Sequence, residues 1–197
     1  MLKRPMLALL IGIMALLPAC DKTGSAGNPP LAGAAIGGPF TLIDQDGKTV
    51  SDRDFAGRYR LIYFGYTYCP DVCPVDLQKL MQGLKTFEKS DPALAAKVQP
   101  IFVSVDPARD TPAVLKQYVA AFHPRLIGLT GKPDAIADMA KRYGIYFQRE
   151  KNEGASGYLV DHSSQATLFG PDGKPIALMP QDQGADAVAA ELVKWVR

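Results

Sequence analysis

The sequence predicts an α/β domain: a mixed β-sheet with helices packed on it, and a β-hairpin added at its N-terminal end. Three observations carry this. A near-continuous apolar run, Arg60-Leu61-Ile62-Tyr63-Phe64-Gly65-Tyr66, has the composition of a strand buried on both faces. Helical and strand patterns then alternate as βαβ, with further helices after it. The C-terminal third closes as strand, strand, helix, the order of a sheet flanked by helices.

The elements follow in order. Phe40–Ile43 and Lys48–Val50 flank Asp44-Gln45-Asp46-Gly47, which has the turn chemistry of a hairpin. After the central strand, Pro74 opens a helix whose Leu77, Leu80, Met81, Leu84 and Phe87 recur at helical spacing. Val98–Val105 is the next strand. Thr111-Pro112 supplies an N-cap and a first-turn proline for a helix burying Val114, Leu115, Tyr118, Val119 and Phe122. Leu126–Leu129 reads as a short strand and Pro133–Tyr143 as a helix with Ile136, Met139, Ala140 and Tyr143 on one face. Ile145–Arg149 is a strand, and Gln165–Phe169 and Pro175–Met179 pair around Gly170-Pro171-Asp172-Gly173. Ala185–Arg197 is a terminal helix burying Val188, Leu192 and Trp195.

The first 38 residues have a different character. Met1–Arg4 is basic, and Met6–Leu17 is an apolar run of twelve residues. That length suits a signal-peptide core and falls short of the roughly 20 residues that span a bilayer. The run ends in Leu17-Pro18-Ala19-Cys20, which resembles the bacterial lipoprotein signal: residues 1–19 would be removed and Cys20 acylated. Asp21, the next residue, resembles the signal that retains lipoproteins in the inner membrane. Residues 20–38 are rich in Gly, Ala, Pro, Ser and Asn and read as a flexible tether of roughly 20–25 Å span. The folded domain is expected over 39–197.

Charge excludes one class of partner. The net charge is +2, and removal of Lys3 and Arg4 leaves 20 basic against 20 acidic residues. A nucleic-acid binder needs a clear cationic excess. Of three cysteines, lipidation would occupy Cys20 and leave Cys69 and Cys73 as a pair.

That pair lies in Cys69-Pro70-Asp71-Val72-Cys73-Pro74, between a central strand and a helix N-terminus. The helix end favours thiolate over thiol, and strand C-termini of open α/β sheets are where ligands bind. Residues four apart on a helix share a face, so the sulfurs could close a disulfide or share a metal ion. A structural disulfide suits an exported chain, although so short a ring constrains few unfolded states. A redox pair usually has two intervening residues, not three. A metal site needs at least one further ligand. His123, at the end of an amphipathic helix, reads as a structural residue. His162, in the polar segment Val160-Asp161-His162-Ser163-Ser164, reads as a loop residue and a possible ligand.

Four segments together resemble the successive motifs of the Sco/SenC family. They are Tyr63–Pro74, Val103–Pro112, Phe122–Gly131 and Val160–Ser163, and the likeness extends from about Gly38 to the C-terminus. The resemblance implies a thioredoxin-like fold and copper binding through Cys69, Cys73 and His162. It implies a metallochaperone rather than an enzyme, with copper as Cu(I) and Cu(II). The implied partners are the copper-accepting subunit of a respiratory haem-copper oxidase and other copper chaperones. The implied location is the extracytoplasmic face of the bacterial membrane. A thiol–disulfide oxidoreductase acting on a partner's copper-ligand cysteines is the alternative.

Donor chemistry agrees, since thiolates select Cu(I). Zinc shares the cysteine spacing, but a closed zinc site needs a fourth ligand. Asp161 is expected to orient the imidazole and Asp71 to cap the helix. Met81, Met139 and Met179 are expected in the core. Asp106, Arg109 and Asp110 are expected to form turn and ion-pair structure. Tyr66 and Tyr68 are expected to shield the cysteine loop or pack beside it.

Overall fold

The computed structural model describes residues 27–154 and 157–197. In chain order the elements are β1 (Thr41–Asp44), β2 (Thr49–Ser51), β3 (Tyr59–Gly65), α1 (Val72–Ser90), α2 (Pro92–Ala95), β4 (Val98–Ser104) and α3 (Pro112–Ala120). They continue with β5 (Ile127–Thr130), α4 (Pro133–Arg142), β6 (Phe147–Gly154), β7 (Gly157–His162), β8 (Ala166–Phe169), β9 (Pro175–Leu178) and α5 (Ala185–Trp195). Seven strands form one mixed sheet in the order β2-β1-β5-β4-β3-β8-β9, and β6 and β7 form a separate hairpin. The strands β3, β4 and β5 run parallel, while β1 pairs antiparallel to β5 and β8 antiparallel to β3.

The central pair β3 and β4 is buried at every residue, which is why both read as continuous apolar runs rather than alternating ones. Side chains of β3 divide between two layers. Tyr63 stacks on Phe102 of β4, which meets Tyr118 of α3, and the Tyr63 hydroxyl reaches Asp76 of α1. Phe64 points the other way, to Tyr143 at the end of α4. Helix α5 lies on α1 so closely that a Cβ at Gly83 would sit 2.6 Å from Val188 Cβ. The predicted N-terminal hairpin is present: Asp44 Oδ1 accepts the N–H groups of Asp46 and Lys48, both at 2.9 Å, and Gly47 takes the left-handed conformation (φ +79°). Met81, Met139 and Met179 are core residues, as expected.

Three local features differ from the sequence reading. Helix α1 begins at Val72 rather than Pro74, so Cys73 belongs to its first turn. Proline is tolerated there because a first-turn N–H has no partner within the helix. A short helix, α2, follows Asp91, whose carboxylate accepts the Leu94 N–H at 2.9 Å. The strand expected over Ile145–Arg149 is the first half of the β6–β7 hairpin, and His162 ends a strand instead of lying in a loop. The charged and glycine-containing stretch 150–157 shows no apolar alternation, so its backbone pairing left no hydrophobic signature.

The signal segment, Cys20 and residues 21–26 of the expected tether lie outside the described residues. The remaining end of the tether lies against the domain: Leu31 N–H donates to the Ile176 carbonyl at 3.0 Å and Gly37 N–H to that of Arg142 at 2.9 Å. Among the described residues, no helix is long and apolar enough to cross a membrane.

Candidate metal centre

Parallel strands β3 and β4 end side by side, and the chain leaving Gly65 must turn over the sheet edge to enter α1. Gly65 is required there by close approach, since a Cβ on it would lie 2.8 Å from Cys73 Sγ. The loop from Tyr66 to Asp71 is anchored by Asp110, which is fully buried. Its carboxylate accepts the Thr67 N–H at 3.0 Å, the Thr67 hydroxyl at 2.6 Å and the Ser104 hydroxyl at 2.6 Å. Burial raises the Asp110 pKa despite these bonds. The sequence reading gave Asp110 a role in turn structure; the structure shows it holding the cysteine loop itself.

Asp71 occupies the N-cap position of α1, but its side chain makes no capping hydrogen bond, contrary to expectation. Sulfur takes that place. Cys69 Sγ accepts the Cys73 N–H at 3.4 Å, so a thiolate there satisfies an end-of-helix donor and meets the positive end of the helix dipole.

The two sulfurs differ in environment. Cys69 is half-buried and Cys73 fully buried, and both are free thiols. A hydrogen bond from Cys73 holds Cys69 well below the ordinary thiol range. Bonds from His162 and from the backbone N–H groups of Asp71 and Cys73 act in the same direction, against desolvation. Cys73 moves up, because its proton is shared with the Cys69 thiolate and because it is buried. The first negative charge therefore settles on the more accessible sulfur.

His162 arrives from the end of β7, where it pairs with Phe147. Its Nε2 lies 3.1 Å from Cys73 Sγ and its Nδ1 lies 3.0 Å from the Ser163 carbonyl oxygen. A carbonyl only accepts, so Nδ1 carries a hydrogen; Nε2 donates toward the sulfurs when the ring is protonated and faces them with its lone pair when the ring is neutral. The ring stands edge-on to Tyr66 (5.8 Å, 89°) and Tyr63 (6.4 Å, 90°). Desolvation lowers the His162 pKa, but the bonds to Cys69 and the Ser163 carbonyl outweigh it and the net shift is upward. Asp161 does not orient the ring. It lies exposed on the opposite face of the strand, and the Ser163 carbonyl performs the task.

The two sulfurs and one imidazole nitrogen lie within 4.8 Å of one another. Ligand atoms at about 2.0–2.3 Å from a shared ion stand at most about 4.6 Å apart, so these three need little movement to hold one. Sequence reasoning missed Tyr63 and Asp76 beneath the sulfurs, where the Tyr63 hydroxyl donates to Asp76 at 3.1 Å. Burial raises the Asp76 pKa. The available signal was a carboxylate three residues after Cys73 on the apolar face of α1. Tyr66 packs on His162, whereas Tyr68 is exposed. His123 is structural, as expected: it is buried, its Nε2 lies 3.3 Å from Glu88, and its Nδ1 accepts the Arg125 N–H at 3.1 Å.

Comparison with known proteins decides the family. A family model described as SCO1/SenC matches residues 28–197. The chain belongs to the SCO1/SenC family. Protein SCO1 homolog 1, mitochondrial, of Arabidopsis thaliana is 41% identical over 169 residues, covering 85% of this chain and 49% of the relative. The chain thus spans about half the length of the curated relatives it matches. The copper-bound crystal structure of A. thaliana ScoI superposes with a TM-score of 0.76 at 40% identity, covering 81% of this chain and 97% of the other. BsSco, described as having a disulfide switch and as a member of the Sco family of cytochrome c oxidase assembly proteins, matches with a TM-score of 0.58 at 30% identity. That match covers 79% of this chain and 92% of BsSco. The fold is therefore the thioredoxin-like one that the resemblance implied.

The thiol asymmetry has a direct consequence. Between pH 8 and pH 6 an ordinary thiol loses roughly a hundredfold of its thiolate. Alkylation of the metal-free reduced protein, followed by peptide mass spectrometry, will show Cys69 labelled first, with its rate falling less than about threefold over that range. Equal labelling of both cysteines would contradict the assignment.

Proposed function

We propose that this chain is a copper metallochaperone that carries one copper ion on Cys69, Cys73 and His162. In this reading it delivers the ion to the copper-accepting subunit of a respiratory haem-copper oxidase. The observation that carries the reading is the convergence of two sulfurs and one imidazole nitrogen at the mouth of α1. The copper in the Arabidopsis ScoI structure supports the choice of metal, and the description of BsSco supports the recipient. Thiolates suit Cu(I), imidazole suits Cu(II), and three ligands leave the ion open to an incoming acceptor.

The residues divide the work. Cys69 offers a thiolate to the arriving ion, and Cys73 gives up its proton as the second sulfur binds. Nε2 of His162 closes the ligand set while its Nδ1 hydrogen stays on the Ser163 carbonyl. Oxidation to a disulfide removes both sulfur ligands, which makes loading dependent on redox state. A thiol–disulfide role is the second reading, favoured by the asymmetry of the pair. The Cys69 thiolate would attack a partner's disulfide to form a mixed disulfide. Cys73, losing its proton, would then attack Cys69 Sγ and release the partner's dithiol, with two electrons passing to the partner. A cellular dithiol would reduce the resulting Cys69–Cys73 disulfide.

The reading includes anchorage through acylated Cys20 on the extracytoplasmic face of the inner membrane. If so, Cys20→Ser shifts the protein from the membrane to the soluble fraction without changing copper binding. Unchanged fractionation would remove lipidation from the account.

The metal site is tested by titration. The reduced domain will bind one equivalent of copper and the oxidised domain will bind little Cu(I). His162→Ala will weaken Cu(II) binding by more than about a hundredfold and Cu(I) binding by less than about tenfold, because two thiolates alone suffice for Cu(I). His123→Ala will alter neither. Equal loading of oxidised and reduced protein would refute the thiolate site. An unchanged Cu(II) affinity and optical spectrum in His162→Ala would refute the third ligand.

A further inference from the structure

The hairpin that carries His162 shares no backbone ladder with the seven-stranded sheet. Beyond its chain connections, contacts that involve side chains hold it in place. Tyr158, Val160 and His162 alternate along β7 and so project from one face, the face turned to the domain. Val160 is buried, and its N–H donates to the Tyr66 hydroxyl at 3.3 Å. The Tyr158 hydroxyl donates to Asp106 at 2.7 Å.

Arg109 joins these parts. Its guanidinium carbon lies 3.7 Å from the Tyr158 ring centre, 4.8 Å from that of Tyr68 and 5.6 Å from that of Tyr66. Its Nε pairs with Asp106, the same carboxylate that accepts from Tyr158. Arg149 lies 3.6 Å from the Tyr158 ring centre. Two guanidinium groups that close cannot share one face, so the ring is sandwiched between them. The side chain of Arg109 is only 18% exposed, which strengthens cation–π attraction relative to an open surface. One cation thus contacts the cysteine loop through Tyr66 and Tyr68, and the histidine hairpin through Tyr158.

We propose that Arg109, through Asp106 and Tyr158, is a positioning residue that latches the β6–β7 hairpin over the cysteine loop and so sets His162 against the two sulfurs. The role in metal binding rests on the ligand reading of His162; the latch itself does not. With Tyr158 and Val160 fixed, His162 on the same strand face is fixed with them. Without the latch, the hairpin is held by Val160 and by its two chain connections, where the Ser163 N–H donates to the Tyr146 carbonyl and the Tyr146 N–H to the Ser163 hydroxyl. The two thiolates, which belong to the sheet edge and α1, keep their places. Loss of Arg109 therefore acts chiefly on the hairpin and its imidazole, since Asp110 still holds the cysteine loop through Thr67. Lysine cannot replace it, because an ammonium lacks the planar group that stacks on Tyr158 while pairing with Asp106.

The test uses Arg109→Ala, Arg109→Lys, Tyr158→Ala and Tyr158→Phe beside His162→Ala. In the metal-free reduced protein, amide hydrogen exchange at residues 157–162 will quicken by about tenfold or more in the two alanine variants and in Arg109→Lys. Exchange in β3 and β4 will be unchanged. Tyr158→Phe keeps the stacked ring and will change least. On loading, Cu(II) affinity and nitrogen hyperfine structure in the electron paramagnetic resonance spectrum will fall toward those of His162→Ala, with Cu(I) uptake retained. Unchanged exchange at 157–162 in Arg109→Ala would overturn the latch. So would a wild-type Cu(II) signature in that variant when His162→Ala abolishes it. If His162→Ala itself leaves the signature intact, the ligand reading fails, and hairpin exchange alone decides the latch. Should Arg109→Ala fail to fold, Arg109→Lys and Tyr158→Phe carry the same comparison.

Discussion

The hydrogen bond from the Cys73 N–H to Cys69 Sγ ties the fold to its chemistry. Buried strands β3 and β4 fix where the chain emerges, and α1 must begin within a few residues of that edge. A helix that starts there exposes unpaired N–H groups. With no side-chain bond from Asp71, a sulfur caps the helix, and a thiolate caps better than a thiol. Cys73, in the first turn of that helix, then lies in the space that Gly65 leaves by lacking a Cβ. The site is a consequence of how this strand passes into this helix.

Placing the third donor on a separate hairpin divides the site into two parts with different mechanics. The sulfurs belong to the rigid core, held by Asp110 through Thr67 and Ser104. The imidazole rides on an element joined to that core by side chains. Such a division suits a carrier. In the proposed carrier, two sulfurs alone would suffice to retain Cu(I), and the imidazole would add a donor suited to Cu(II).

Much of this was legible in the sequence, for reasons that differ by element. The β3 run, the apolar spacing of α1 and the Asp44–Gly47 turn each follow from local burial and turn chemistry, and all three stand. Cys69 and Cys73 could be placed at a helix start because strand and helix patterns meet there. His162 stood as one possible ligand on residue type alone, and only the resemblance joined it to the cysteines, since 89 residues separate it from Cys73. Asp161 is the partner a sequence makes visible, yet strand alternation turns it away, and the Ser163 main-chain carbonyl that takes the role leaves no mark in the sequence. The β6–β7 pairing was hidden because backbone hydrogen bonds, not apolar side chains, define most of it. Arg109 was read as local ion-pair structure. Its contacts with three tyrosines from two distant segments exist only in the folded chain.

X-ray absorption at the copper edge of the loaded wild-type protein tests the central claim most directly, because it counts the donor atoms around the ion. The account predicts two sulfur donors in both oxidation states and one imidazole nitrogen, clearest for Cu(II) and lost in His162→Ala. A copper environment of oxygen and nitrogen alone, or one in which the nitrogen survives that substitution, would contradict it.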